Sequence, residues 1–420
     1  MSATKTTYKY RIKPYKNATF LSKLSAYASS PIREDDEVAW KLIENGKKVI
    51  KLNTGDPAKY FKTPERVINA YIEALRKNYT YYSNSQGILE LREAIAKRHK
   101  KMYGLDIGPE KILITQGISE GLQFLNTATI DKGDKSILIK PYYPSYLPYL
   151  LVTGGRPIFG EAKWEKGWEI DLESLEKSVK REKRKKLKYM LITTPNNPAC
   201  YVISRKKLRE IVDFANEYDI FLVSDEIYDE LVFKGNFTSL SQVADGLPYM
   251  ILNGMSKNFV GTGLRIGYML IPNDDNKSSR LLSKMIELAQ MRLSPNTPAQ
   301  LAYAVGLQDL EAHRKEVEKL RKEIKERTYF ATKEVNESKY MHALLPGGAF
   351  YVFPKIELNK LRFKDDKTFV QNLLFEKYVQ VTRGSGFGMP GYIRIVTLPP
   401  KGVLKDAIDK IDSFCKIHSR

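Results

Sequence analysis

IFLVSDEIY at residues 220–228, followed by ILNGMSKNFVGTGLRIGY at residues 251–268, decides the fold. The first stretch opens on an apolar run, Ile220 to Val223, and turns polar at Ser224 and Asp225, as a strand buried on both faces does where it leaves a sheet. Outward from this pair, short apolar runs alternate with amphipathic helical stretches from about residue 110 to residue 300. Candidate strands are Lys111 to Thr115, Ser136 to Lys140, Tyr189 to Thr193, Ile220 to Ser224, Tyr249 to Leu252 and Arg265 to Leu270. Between them lie helices such as Ser204 to Tyr218, where Leu208, Ile211, Val212 and Ala215 make one apolar face. The alternation predicts an α/β fold, with a mostly parallel central sheet flanked by helices.

Past this region the chain changes character. Glu311 to Lys333 reads as a long charged helix, and shorter strands are expected around Ala349 to Phe353 and Tyr392 to Thr397. A smaller α+β domain follows from that pattern. The expected organisation is an N-terminal segment over residues 1–64 packing with the small domain, a large domain over 65–305 and a small C-terminal domain over 306–420. There is no internal repeat, low-complexity tract or long linker.

Composition narrows the function. The chain has 420 residues, enough for a sizeable core, and no apolar run approaches the roughly 20 residues that a membrane span requires. The N-terminus MSATKTTYKYRIKPYK lacks the apolar stretch of a secretory signal, so a cytoplasmic protein is expected. Two cysteines, Cys200 and Cys415, are too few for a disulfide framework. The net charge of +20 makes acidic partners worth weighing, but the excess is spread along the chain. Its densest run, Lys180 to Lys188, has no interleaved aromatics and sits in no nucleic-acid-binding motif. It reads as the solvated end of a helix and the turn after it. Four scattered histidines, His99, His313, His342 and His418, offer no metal-ligand spacing, and Cys415 with His418 is half a site. No metal, membrane or specific nucleic-acid partner is expected.

In open α/β sheets, ligands bind beyond the carboxyl ends of the strands. A carboxylate at Asp225, next to an apolar stretch, suits a cationic ring nitrogen; the alternative is a cap for the next turn. Lys257 sits in a Gly-containing loop with Arg265 eight residues on. A lysine in a partly enclosed pocket near another cation has a lowered pKa and an amine available for imine formation, whereas an exposed loop lysine has neither. GTGLRIG has one residue too many for a dinucleotide fingerprint. GFGMPG, residues 386–391, fits that pattern formally but leads into a strand rather than out of one.

Taken together the residues resemble the class I/II aminotransferases of the fold-type I pyridoxal phosphate enzymes. The motifs that carry the resemblance are LNTGDP, YYSNSQGILELREAI, TQGISEGL, PYYPSY, TTPNNP, SDEIYDELVF, GMSKNFVGTGLRIGY and YIRIVTLP, in family order. MRLSPNTPAQLAYAVGL and GGAFYVFPKI further resemble alanine aminotransferases of the bacterial and archaeal type. The resemblance implies pyridoxal 5'-phosphate bound through Lys257, with Asp225 on the ring nitrogen, Tyr228 and Asn197 on the ring hydroxyl and Tyr143 stacked on the ring. It implies a phosphate site from the amides of Ile118 and Ser119 with Arg265, completed by Tyr82 from the partner subunit of a homodimer. It also implies a substrate carboxylate held by Arg394 and approached by Gly55, with alanine and 2-oxoglutarate as the favoured substrates in a ping-pong reaction. Arg292 is a candidate for the second carboxylate of 2-oxoglutarate, against a structural role.

Two departures from the family pattern stand out. Ala199 and Cys200 replace the usual Thr-Gly, which strains any turn needing a positive φ at the second position. Gly254 occupies the place of a phosphate-binding serine, with Ser256 nearby. Two alternatives stay open. The same fold supports aspartate or broad-specificity aminotransferases and lyases of other reaction types. A non-enzymatic basic protein on the scaffold is the other, and it predicts loss of Lys257 or Asp225, both of which are present.

Overall fold

The computed structural model describes residues 21–182, 186–244 and 246–420. Eight strands make the central sheet: β1 (Ile112–Thr115), β2 (Lys135–Lys140), β3 (Arg156–Lys163), β4 (Glu169–Ile170), β5 (Leu187–Thr193), β6 (Phe221–Asp225), β7 (Tyr249–Gly254) and β8 (Gly267–Leu270). Their spatial order is β1-β8-β7-β6-β5-β2-β3-β4. The inner neighbours are parallel, while β8 runs antiparallel to β1 and β7, and β4 to β3.

Apolar residues in succession fill both faces of this sheet. Ile137, Met190, Leu222 and Ile251 join one buried cluster, and their chain neighbours Leu138, Leu191, Val223 and Leu252 join the other. That is the two-residue period of a strand covered on both sides. The helix Arg205–Glu217 lays Leu208, Ile211, Val212 and Ala215 on the first cluster, and Ser204 caps it by accepting from the Lys207 amide.

The structure corrects the sequence-based expectations in three places. Strands β3 and β4 were not expected, because Pro157 and Gly160 break up the apolar signal of an outer strand. The strand expected from Arg265 begins at Gly267 instead, since Arg265 has a left-handed backbone (φ 57°) that turns it out of the sheet. The basic run from Lys180 is more than a helix end and turn: Leu187 already starts β5, and Lys186 and Lys188 pair with the buried Asp134 at 3.0 and 3.2 Å. Residues 183–185 of that run, and the first 20 residues of the expected N-terminal segment, lie outside the described residues.

The C-terminal part builds an antiparallel sheet of β9 (Tyr351–Val352), β11 (Ile393–Val396) and β10 (Thr382–Arg383), with β11 in the middle. Ile50–Lys51 pairs with Val379–Gln380, and Ile50 and Leu52 join the apolar cluster of Val335, Leu373 and Ile411. The helix Thr297–Gln308 runs through residue 305, where a domain limit was expected, and ends at Asp309, which caps the long helix Leu310–Asn336. No described helix is long and apolar enough to cross a membrane.

Candidate active site

Strand register brings the chemistry to one edge. Thr193 at the end of β5 lies opposite Asp225 at the end of β6, while Gly267 at the start of β8 faces both Thr115 and Gly254. Because β8 is antiparallel, its first residues and the last residues of β1 and β7 share that edge. Arg265, the helix Ile118–Thr129 and the Lys257 loop therefore converge on a cavity of about 620 Å³. Gly55, Ile118, Ser119, Tyr143, Asn197, Asp225, Tyr228, Lys257, Arg265 and Arg394 all line it. Tyr82 does not: its side chain is exposed (77%) on the surface of the single chain. Arg292 is also elsewhere, donating to the carbonyls of Ser85 and Ile114 and pairing with Glu120 at 3.2 Å.

Close packing sets the cradle. A Cβ on Gly267 would lie 2.8 Å from the Ile118 nitrogen, and one on Gly117 would meet the Arg265 guanidinium at 2.4 Å. Glycine at both places lets the start of the helix, which has no side-chain cap, sit beside the Arg265 fork. Gly254 has the same explanation: a Cβ there would come within 2.7 Å of the Gly267 Cα and the Ile266 carbonyl, so serine cannot fit. Gly55 passes so near Tyr351 that a Cβ would stand 2.3 Å from its hydroxyl. At the other departure, Cys200 does take a positive φ (59°), and its carbonyl accepts from the amides of Gly347 and Gly348.

Electrostatics follow from burial. Asp225 accepts from the Tyr146 hydroxyl at 2.6 Å and from the Ile227 amide at 3.1 Å, so it also caps the turn that follows. Burial pushes its pKa up to about 6, against the opposing pull of Tyr146, the Ile227 amide and the Lys257 charge. Lys257 donates to the Gly55 carbonyl at 2.8 Å. Burial, helped by the charges of Arg394 and Arg265 and opposed by Asp56 and Asp225, lowers its pKa to about 8. Tyr228 and Tyr351 share a hydrogen bond at 2.8 Å, and burial first, then Tyr351, raises Tyr228 well above the usual phenol range. Arg394 is 1% exposed, donates to Asn197 Oδ1 at 2.8 Å and to the Asn53 carbonyl, and keeps Nε without a protein partner.

Tyr146, Tyr351 and Arg33 also line this cavity, and the Asn53 carbonyl holds Arg394, none of which is expected from the sequence. Tyr146 stands one helical turn after Tyr143 in PYYPSY, a spacing that could have found it. Arg33 carries no signal, since only the tertiary fold brings residues 30–33 to the cavity.

The family model described as Aminotransferase class I and II matches residues 47–411. The chain belongs to this family. The (5-formylfuran-3-yl)methyl phosphate transaminase of Methanocaldococcus jannaschii is 35% identical over 399 residues, covering 93% of this chain and 98% of that protein. An aromatic-amino-acid aminotransferase of Thermococcus litoralis is also 35% identical, over 88% of this chain and 92% of its own. The solved structure of an alanine aminotransferase from Pyrococcus furiosus superposes with a TM-score of 0.90 at 36% identity, covering 95% of this chain and all (100%) of that one. The names of these relatives point to different donors, so what is common to them is the reaction type. This aminotransferase is a pyridoxal phosphate-dependent transaminase.

The cavity fits that cofactor. A phosphate suits the uncapped helix start with its arginine fork, a cationic ring nitrogen suits a buried carboxylate, and an aldehyde suits a lysine whose amine is readily neutral. In the cofactor-free aminotransferase, however, the Asp225 carboxylate is a liability. Its folded pKa of about 6 exceeds the ordinary value of 3.8, so stability is lost as pH rises through that window. Asp225→Asn should therefore raise the stability of the cofactor-free protein by about 3 kcal/mol at pH 8 and by little near pH 4. Tyr146 can accommodate the amide by turning its proton to Thr193 Oγ1, 2.8 Å away. Thermal unfolding of both proteins at the two pH values is the check, and a variant no more stable than its parent at pH 8 refutes it.

Proposed function

We propose that the chain moves the amino group of an L-amino acid, alanine favoured, to 2-oxoglutarate in two half-reactions at this one cavity. The observation that carries the reading is the buried Arg394 fork, which lines the same cavity as Lys257 and is held by Asn197 and Asn53. Such a fork suits the α-carboxylate shared by every substrate of the reaction. Pyridoxal phosphate supplies the electron sink for the carbanion formed when the substrate loses its α-proton. Lys257 Nζ would be the attachment point for the cofactor, and its free amine would be the base that takes the substrate α-proton. With the cofactor bound, Asp225 would hold the proton on its ring nitrogen, Asn197 and Tyr228 would donate to its ring oxygen, and Tyr143 would pack against the ring. The amides of Ile118 and Ser119 hold the phosphate with Arg265. Gly55 brings its backbone to the substrate carboxylate.

The working unit in this reading is a cytoplasmic homodimer whose sites each borrow Tyr82 from the partner, in keeping with its exposure in the single chain. Asp309, between two helices, is the limit we assign between the large and small domains.

The side-chain end of the pocket must accept a methyl group in one half-reaction and a carboxylate in the other. Four cations line the cavity among the described residues: Lys257, Arg265, Arg394 and Arg33. The first three have the imine, the phosphate and the α-carboxylate. Arg33 is left for the distal carboxylate, with Asp36 at 3.7 Å to hold it meanwhile, and Arg292 keeps a structural role. Arg33→Ala should lower kcat/KM for 2-oxoglutarate and glutamate about tenfold or more, and leave alanine and pyruvate within about twofold. A screen of amino donors run alongside tests the donor: a strong preference for aspartate or an aromatic amino acid overturns alanine, and unchanged 2-oxoglutarate kinetics overturn the role of Arg33.

A further inference from the structure

Behind the cavity lies a buried charged cluster that none of these steps uses. Its centre is Asp229, next in the chain to Tyr228 and 3% exposed. The carboxylate accepts four hydrogen bonds: from Arg98 at 2.7 Å, Tyr103 at 2.6 Å, Asn253 at 2.9 Å and Asn258 at 2.6 Å. Arg98 and Tyr103 come from the helix Leu89–Tyr103. Asn253 lies near the end of β7, and Asn258 directly follows Lys257. One carboxylate thus grips the chain on both sides of Lys257. A second tie holds the Lys257 loop from behind: His313 stacks on Phe259 with ring centres 3.9 Å apart, and its Nε2 lies 2.8 Å from Glu230, which pairs with Arg98 at 3.2 Å.

We propose that Asp229 is a positioning residue that fixes Lys257 Nζ relative to the Tyr228 hydroxyl, and through that distance sets the proton affinity of the Lys257–cofactor linkage. Asp229 is covalently next to one of the two groups and hydrogen-bonded to both flanks of the other, and each of its four partners is a donor. A buried carboxylate with four donors has one low-energy placement, so the loop and the Tyr228 segment move as a unit. Three of the donors converge on Oδ2 and Asn258 alone on Oδ1, so asparagine loses the charge that pairs with Arg98 and must turn its NH2 toward Asn258, against the Asn258 NH2 unless that amide also turns. Substrate contact has no part in this: the cluster stands outside the residues that line the cavity. The proposal rests on the roles of Lys257 and Tyr228 toward the cofactor proposed above.

The test is an absorbance titration of the holoenzyme at rest. The visible band of the bound cofactor is followed against pH in the parent, Asp229→Asn, Asn258→Ala and Val335→Ala. Val335 is fully buried in the C-terminal core, so its truncation lowers the melting temperature without touching the cluster. Both cluster variants should displace the titration midpoint by about half a pH unit or more, and Val335→Ala should leave it within about 0.2 unit. Asn258→Ala decides, since it keeps the Asp229–Arg98 ion pair and removes a single hydrogen bond. A parental midpoint in Asn258→Ala overturns the proposal. That holds even with a shift in Asp229→Asn, which would then be an effect of charge alone, and it holds if Asp229→Asn does not fold. Borohydride reduction of the parent before digestion separates the two levels: a cofactor adduct on a different lysine removes the underlying assignment, while an adduct on Lys257 with unmoved midpoints removes only the positioning role.

Discussion

Replacing Lys257 with alanine stops turnover, with an expected loss in kcat of about 10⁴-fold or more. The amine has two tasks in the proposed reaction, attachment and proton transfer, and no other lysine lines the cavity among the described residues. Its setting prepares it for both. Burial lowers its pKa to about 8, so a useful fraction is neutral near physiological pH, while the Gly55 carbonyl 2.8 Å away holds the nitrogen in place. Lys257→Arg is expected to be equally inactive despite keeping the charge, because a guanidinium does not deprotonate in this range. The cofactor should still bind to the alanine variant through the helix start, Arg265 and Asp225, as a species that borohydride does not fix to the protein. Mass spectrometry of the reduced parent should place the cofactor on the peptide containing Lys257. Measurable steady-state turnover in Lys257→Ala would sink the assignment.

Loss of Arg394 should be felt by every substrate alike. Arg394→Ala is expected to lower kcat/KM by about 10³-fold for alanine, pyruvate, glutamate and 2-oxoglutarate, mostly as higher half-saturation concentrations. The guanidinium is buried in β11, opposite Thr382 in the register, and packed 4.5 Å from the Tyr351 ring centre and 4.9 Å from that of Phe387. Such stacking, with Asn197 and the Asn53 carbonyl on the other donors, leaves the fork one orientation. Arg394→Lys should recover only a small part of the loss, since an ammonium cannot make the paired contact. Steady-state kinetics with the four substrates separate this from the Arg33 effect, which is confined to the dicarboxylates. A variant that lost thermal stability but kept its half-saturation concentrations would make Arg394 structural.

Much of the fold is legible in the sequence because the signals are local. The sheet is readable in the centre, where Leu222, Val223, Ile251 and Leu252 are apolar on both faces, and unreadable at β3, where burial alternates and Pro157 and Gly160 intervene. Lys257, Asp225 and Arg394 stand in motifs whose order along the chain is itself informative. Tyr146 is hinted at only by its spacing from Tyr143, and Tyr351 by nothing; the partner of Tyr146 is not legible at all, because a hydrogen bond between residues 79 positions apart, as from Tyr146 to Asp225, leaves no mark on the sequence near either. The glycine at 254 looks like a lost donor and is a steric requirement, visible only once β8 is known to pass within 2.7 Å of where a side chain would start.

The sequence by itself determined the fold class, the family and the residue types available for chemistry, since these depend on hydrophobic period and on short motifs that are contiguous in the chain. Only the tertiary structure decided which cations share the cavity, why Arg292 is committed to Ser85, Ile114 and Glu120, and how Asp229 ties the Lys257 loop to the helix Leu89–Tyr103. Those are matters of distance between residues far apart in the chain. Burial then multiplies their effect, because a charge removed from water answers to whatever neighbour the fold places within a few ångströms.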